Sequence, residues 1–311
     1  MSRILLLATG GTIASKLQPD GGVAVALTGS ELLATVPDLD PTGFDVVDLT
    51  HGPSWNFDLE TMHAIAVRAR QALSGGTVAG VVVTHGTDTV EESLWMTDLV
   101  AGDLTDRGAI VFTAAMRNAG QQDADGPTNL RDACMLASSS EARGRGALLC
   151  IGGEVHEARW VTKTDAQSLD TFRSFGGRPW TCPAVGLGIE SRIAIIRSYG
   201  GIDGDIVEWH VQRGVRGLVV EGGGAGNVAG ALVAGLERAV GGDVPVVVVT
   251  RCLTGKVAPV YGGPGGGHTL ESIGVIGGSD LNASKARVAL AVAMGVDPSV
   301  DAVRTWFEEL G

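Results

Sequence analysis

No stretch of the sequence reaches the ~18 to 20 apolar residues that a membrane-spanning helix needs, so no membrane contact is expected. Cysteine is scarce. Cys134, Cys150, Cys182 and Cys252 stand far apart without CxxC spacing, which argues against a disulfide framework or a zinc ribbon and makes two or three of them core residues. The six histidines, at 51, 63, 85, 156, 210 and 268, form no HExxH pair or similar ligand spacing, so no catalytic metal is expected. Positive charge is in deficit: 23 Lys+Arg against 35 Asp+Glu give a net charge of −12, and no basic block offsets it. A phosphate backbone would be repelled, so nucleic acid is not an expected partner. The opening Met-Ser-Arg followed by Ile4–Ala8 enters a Gly-Gly-Thr turn, not a small-residue cleavage site. It reads as a buried first strand and the protein as cytoplasmic.

What the sequence does have is apolar residues, 44% of 311, enough for two domains with full cores. Continuous Val/Ile/Leu runs predict strands covered on both faces, as in a parallel sheet, at Ile4–Ala8, Phe44–Leu49, Val78–Thr84, Ala109–Thr113, Ala147–Ile151, Ile193–Arg197, Gly217–Val220, Val244–Thr250 and Ile273–Ile276. Amphipathic segments alternate with them, among them Leu59–Ala72, Thr89–Val100, Asn129–Ser139 and Val228–Val240. Such alternation implies right-handed crossovers and a doubly wound layer. The Gly- and Pro-rich stretch around Phe172–Gly188 interrupts it. The expected architecture is two-domain α/β: a larger N-terminal, mostly parallel, doubly wound sheet with flanking helices over 1–172, a linker at 173–191, and a smaller C-terminal α/β domain over 192–311.

Three segments carry chemistry. In Ile4–Ala14 an apolar strand runs into Thr9-Gly10-Gly11-Thr12, which places Thr12 at a strand's carboxyl end, where ligands of open α/β sheets bind. Gly11 lets the backbone approach a substrate closely; neither phosphate-loop spacing, GxGxxG or GxxxxGK[ST], is present. In Val81–Glu92 another buried strand delivers Thr87 and Asp88 to a helix N-terminus. Asp88 with Glu91 has capping-box spacing, yet a helix N-terminus also offers free N–H groups to an oxyanion. In Trp160–Asp165, Lys163 is either a solvated lysine or the partner of a threonine hydroxyl.

Together these segments resemble the bacterial-type L-asparaginase and glutaminase-asparaginase family. TGGTIA at 9–14 and THGTDT at 84–89 are similar to its two main motifs, and lesser matches follow in order: Ala114–Arg117, Asp125–Pro127 with Asn129-Leu130, Val161–Thr164, Gly222–Asn227 and Leu281-Asn282 with Lys285–Arg287. The resemblance implies two α/β domains, a homodimer or homotetramer, no cofactor, and hydrolysis of L-asparagine to L-aspartate and ammonia through a threonine nucleophile and an acyl-enzyme. It makes Thr12 the nucleophile and Thr87, Asp88 and Lys163 the second catalytic set. Ser54 would hold the substrate's α-carboxylate, with Trp55 beside it, and Asp88 its α-ammonium. Ala115 would offer its backbone to the amide, and Asn227 would come from a neighbouring subunit.

Three departures from the family pattern stand out. No tyrosine occurs in Ser15–Leu27, where the family carries one beside the nucleophile, and Val25 falls near its place. Trp55 stands where many members have glutamine. The glycine-rich run Tyr261–His268 lacks the acidic residue that some members supply to a partner's site; Tyr261 is either its replacement or, the preferred reading, a packed loop residue. The alternatives are a dual glutaminase-asparaginase, with L-glutamine as second substrate, and a catalytically silent sensor of aspartate or asparagine. The amidase subunit of a tRNA-dependent amidotransferase is disfavoured, because a first strand at residue 4 leaves no room for that subunit's extra N-terminal domain.

Overall fold

The computed structural model describes residues 3–177, 180, 182 and 186–311, in two compact units, Met1–Gly177 and Arg178–Gly311. Residues 178, 179, 181 and 183–185 of the expected linker lie outside the described residues.

The first unit is built on β1 (Arg3–Gly10), whose residues from Ile4 onward are all buried. A hairpin of β2 (Ser15–Leu17) and β3 (Val23–Val25) follows, then α1 (Gly29–Ala34), β4 (Phe44–Gly52), α2 (Leu59–Ser74), β5 (Val78–Thr84), α3 (Val90–Ala101), β6 (Ala109–Thr113), α4 (Gly126–Ser138), β7 (Ala147–Ile151) and β8 (Glu154–Glu157); β9 (Val161–Lys163) and β10 (Phe172–Ser174) form a separate pair. The main sheet runs β4-β1-β5-β6-β7-β8. Its first five strands are mutually parallel, and only β8 is antiparallel. The hairpin set aside, β1, β4, β5, β6 and β7 follow the 2-1-3-4-5 order of doubly wound folds, whose ligand crevice opens where the order reverses, here at the carboxyl ends of β1 and β5. Thr9 on β1 ties these two strands together: its Oγ1 donates to the Thr84 carbonyl at 2.8 Å with both residues buried.

Helix ends follow local chemistry. Asp58 caps α2 by accepting from the Thr61 N–H at 2.8 Å, and Thr28 with Glu31 forms a full capping box on α1, each arrangement satisfying donors that the first turn leaves free.

The second unit has its own parallel sheet, β11 (Ile193–Arg197), β12 (Gly217–Gly222), β13 (Val246–Thr250) and β14 (Ile276–Gly277), in that order. Its helices are α5 (Asp205–Gln212), α6 (Val233–Gly241), α7 (Gly267–Ser272), α8 (Ala283–Val296) and α9 (Val300–Leu310). Asn282 of the Leu281-Asn282 match is the cap of α8, accepting from the Lys285 N–H at 2.8 Å.

Among the element boundaries that depart from expectation, three have a local cause. The strand expected at Ile273–Ile276 is only Ile276–Gly277, because Ile273 closes α7 and Gly274, at φ 92°, turns the chain out of the helix. The strand expected from Val244 begins at Val246, after Pro245, whose nitrogen carries no ladder donor. The helix expected from Val228 begins only at Val233, since Val228 is held against a glycine loop by donating to the Gly265 carbonyl. Of the cysteines, Cys134 and Cys150 are buried and Cys252 is exposed. No helix among the described residues is long and apolar enough to cross a membrane.

Candidate active site

Three turns interlock at the carboxyl ends of β1, β4 and β5. After β1 the Gly11 N–H donates to the Gly52 carbonyl at 3.2 Å, binding the Thr12 turn to the segment that leads into Ser54. Gly86 lies between them: a Cβ on Gly11 would come within 2.4 Å of the Gly86 nitrogen, and a Cβ on Gly86 within 2.5 Å of the Ser54 Oγ. Real side chains never approach so closely, so glycine at 11 and 86 is what lets the Thr12, Ser54 and Thr87 turns touch. Thr89 closes the set by donating its Oγ1 to the Ser54 carbonyl at 2.8 Å.

These turns line a cavity of about 520 Å³. Gly11, Thr12, Ser54, Trp55 and Asp88 all face it, with Gly86, His51, Met116, Asn118, Gln121 and the hairpin residues Val23–Val25. Ser54 is 2% exposed, and its Oγ has no hydrogen-bond partner among the described residues. A buried, unsatisfied hydroxyl costs about 1–3 kcal/mol, which a bound acceptor such as a carboxylate would recover. Trp55 is 66% exposed beside it.

The second group stands next to the cavity. Lys163, at the end of β9, donates its Nζ to Thr87 Oγ1 at 2.9 Å and to Asp88 Oδ1 at 2.8 Å. The lysine is largely buried and the aspartate half exposed toward solvent, 18% and 47% for the side chains. Lys163 is therefore no solvated surface lysine. Nor does Asp88 form the capping box that its spacing suggested: α3 begins after Thr89 with no side-chain cap, because the Asp88 carboxylate is held by Lys163. β9 is further fixed to α3 by Thr162, which donates to Glu91 at 3.1 Å.

A shell of polar side chains shapes the turn after β6. Asp125 accepts from the N–H groups of Met116 and Arg117 at 3.0 and 2.9 Å. Asn129 donates to the Ala114 carbonyl at 2.9 Å and accepts from the Gly152 N–H at 3.0 Å. The Asp125–Pro127 and Asn129 matches thus act on the chain on either side of Ala115, which is itself buried.

His85 is fully buried, and desolvation pushes its pKa down from 6.5 to about 4. The native state keeps it neutral while an unfolded chain takes up a proton below 6.5. Stability is therefore expected to fall as pH drops from 6.5 to 4, by roughly 3 kcal/mol for this shift (6.5 − 4 = 2.5 units). Urea unfolding at pH 7 and pH 4.5, in the native protein and in His85→Leu, checks it. An equal pH dependence in both would contradict the assignment.

Asn227 lies in the second unit, where its Oδ1 accepts from the Gly267 N–H at 3.2 Å and its backbone pairs with Gly223. Tyr261 is not packed, as expected, but 59% exposed, carried outward on glycines with positive φ at 263 and 265. No group of three or more His, Cys, Asp or Glu among the described residues is arranged to hold a metal. Reasoning from sequence missed His51, near the end of β4, and Asn118 and Gln121, in the loop after β6, and gave no role to Met116 of the Ala114–Arg117 match.

Comparisons with known proteins point to one family. Residues 3–184 match the family description "Asparaginase, N-terminal" and residues 192–307 match "Glutaminase/Asparaginase C-terminal domain". A probable L-asparaginase of Deinococcus radiodurans is 35% identical over 99% of this chain and 98% of its own. An L-asparaginase of Bacillus licheniformis is 30% identical over 94% and 95%. The crystal structure of a probable cytoplasmic L-asparaginase from Campylobacter jejuni superposes with a TM-score of 0.83 at 27% identity over 99% of both chains. With its two matched domains and these full-length relatives, the chain belongs to the asparaginase family.

Proposed function

We propose that this protein is an L-asparaginase that hydrolyses the side-chain amide of L-asparagine through an acyl-enzyme on Thr12. The observation that carries the reading is the cavity that Thr12, Ser54 with its unpartnered hydroxyl, and Asp88 all line, backed by the Lys163–Thr87 contact. Ser54 would receive the α-carboxylate and Asp88 the α-ammonium. Thr12 Oγ attacks the amide carbon, backbone N–H groups take the developing oxyanion, and the C–N bond breaks as the nitrogen gains a proton and leaves as ammonia. Water then cleaves the ester, releasing aspartate and restoring the Thr12 hydroxyl. Because Thr87 Oγ1 accepts from Lys163, its own hydrogen is free to be donated elsewhere, and the neighbouring cation strengthens it as a donor. The test is ammonia release from asparagine by the purified protein; binding without release would mark a sensor instead.

Selectivity is assigned to Trp55. Glutamine needs one more methylene of room between head group and Thr12, and an indole at the rim of the cavity removes it. A one-methylene misfit is worth ~1–3 kcal/mol, or roughly 10–200-fold in kcat/KM. The native enzyme is expected to favour asparagine by that margin and Trp55→Gln to narrow it. A native ratio near one, or a ratio unchanged within about twofold in the variant, would remove Trp55 from this role.

Asn227 is assigned to the site of a neighbouring subunit, so the active form is a homodimer or homotetramer, cytoplasmic and free of cofactor. Light scattering at assay concentration is expected to show an oligomer. A fully active monomer would contradict the assignment.

A further inference from the structure

The second unit has a cavity of its own, of about 230 Å³, at the carboxyl ends of β12, β13 and β14 and against α7 and α9. The chemistry assigned to Thr12 does not use it. Its wall is apolar where Val248, Leu270, Val275, Ile276 and Phe307 meet, all five buried. Three charged side chains also line it, Glu271 of α7 and Arg304 and Glu308 of α9. Arg304 is half-buried, and its Nη2 donates to the Gly274 carbonyl at 2.8 Å, just past the end of α7. Among the described residues it makes no ion pair with either glutamate. Glu308 lies one turn further along α9, but with the basic residue first, the weaker of the two orders for such a pair. A guanidinium carries five N–H donors, so most of Arg304 is left for a bound acceptor.

Charges of both signs, unpaired and bordering one apolar cavity, suit a zwitterion with an apolar tail. Size narrows the class further. A volume of 230 Å³ is the space of about eight waters at ~30 Å³ each, which matches valine or leucine. Asparagine is a poor fit, since its side-chain amide would lie unsatisfied against the apolar wall. The cavity also touches the setting of Asn227. Gly226 and Gly267 both line it; Asn227 follows the first and accepts from the N–H of the second at 3.2 Å. Gly226 has φ 97°, and a Cβ there would come within 2.8 Å of Val257, another lining residue. An occupant therefore packs against the two glycines that set Asn227.

We propose that this cavity is an effector site for an aliphatic α-amino acid of the size of valine or leucine. Arg304 takes the carboxylate through its remaining N–H groups, Glu271 and Glu308 take the ammonium, and the side chain covers the apolar wall. By bracing the contact between Asn227 and Gly267, the ligand holds Asn227 in one orientation and lowers KM for asparagine. Binding does not depend on the asparaginase reading. The effect on KM does, through the assignment of Asn227 to a neighbouring subunit's site.

Calorimetric titration of the native protein with L-leucine is expected to show one saturable site per chain, with Kd below about 1 mM. 4-Methylpentanoate, which lacks the ammonium, and isopentylamine, which lacks the carboxylate, are expected to bind at least about tenfold more weakly, the scale of losing a hydrogen-bonded charge. These arms need no variant to fold. Arg304→Gln and the double variant Glu271→Gln, Glu308→Gln are expected to weaken leucine binding by a similar factor. Saturating leucine is expected to lower KM for asparagine about threefold with kcat little changed, a response that Arg304→Gln loses while keeping its basal activity. No saturable binding up to about 10 mM leucine, or either analogue binding as well as leucine, would overturn the site. Displacement of leucine by L-aspartate would place it in the Thr12 cavity and overturn the site equally. Leucine bound with KM unchanged overturns the effector role. An absence of asparaginase activity with leucine still bound would refute the functional reading, and the effect on KM with it, and leave the binding site standing.

Discussion

Thr12→Ala and Thr87→Val are each expected to lower kcat for asparagine by about a thousandfold or more, the scale of losing a nucleophile or the group that activates it. Thr12 is half-buried in the cavity wall at the end of β1, outside the hydrophobic core. Removing its hydroxyl and methyl leaves the Gly11–Gly52 and Gly11–Gly86 contacts in place, so the variant is expected to fold. Thr87→Val nearly conserves volume at a residue 6% exposed and deletes only the oxygen that accepts from Lys163. Lys163 keeps Asp88 as its partner, so no buried cation is stranded. Steady-state ammonia release, with circular dichroism to confirm folding, measures both. Normal turnover by either variant would contradict its assigned role. The two losses are not expected to add, because groups that act as one unit do not contribute independently.

Lys163→Met is expected to abolish most turnover while leaving asparagine binding largely intact. The ammonium lies between Thr87 Oγ1 and Asp88 Oδ1, and the cavity wall is formed by Asp88, not by Lys163. Its effect therefore passes through the threonine hydroxyl, and should appear in kcat. The substitution leaves the Asp88 carboxylate half exposed to water, which solvates it at little cost. The check is the division of the loss between kcat and KM: a raised KM with kcat unchanged would make Lys163 a binding residue and dissolve the second catalytic set.

How much of this was legible in the sequence depended on how local each signal was. β5, β6 and β7 coincide with their apolar runs, since strands covered on both faces need continuous Val/Ile/Leu. Thr12 and Thr87 were legible as strand-end residues for the same reason. The β2–β3 hairpin was not, because Ser15–Val25 is without alternation; its turn is closed by the Gln18 N–H donating to the Gly22 carbonyl and the Gly21 N–H to the Gln18 carbonyl. α8 went unnoticed because its residues are buried on nearly every side and show no amphipathic stripe. The capping-box spacing of Asp88 and Glu91 misled in the opposite sense: local sequence cannot register a lysine 75 residues away that claims the carboxylate. Ile273 misled likewise, an apolar residue that ends a helix where a strand was expected. Other residues lining the cavity, His51 near the end of β4 and Asn118 and Gln121 in the loop after β6, are brought together only by tertiary contact, and no motif announces those three.

The central claim, a covalent intermediate on Thr12, is tested most directly by acid-quenching the native enzyme during turnover of saturating L-asparagine and mapping its peptides by mass spectrometry. Expected is a single aspartyl ester on the peptide that contains Thr12, appearing within the first turnover and absent from Thr12→Ala. An ester on the Thr87 peptide instead, or unmodified peptides at every time while ammonia is released at the native rate, would contradict it.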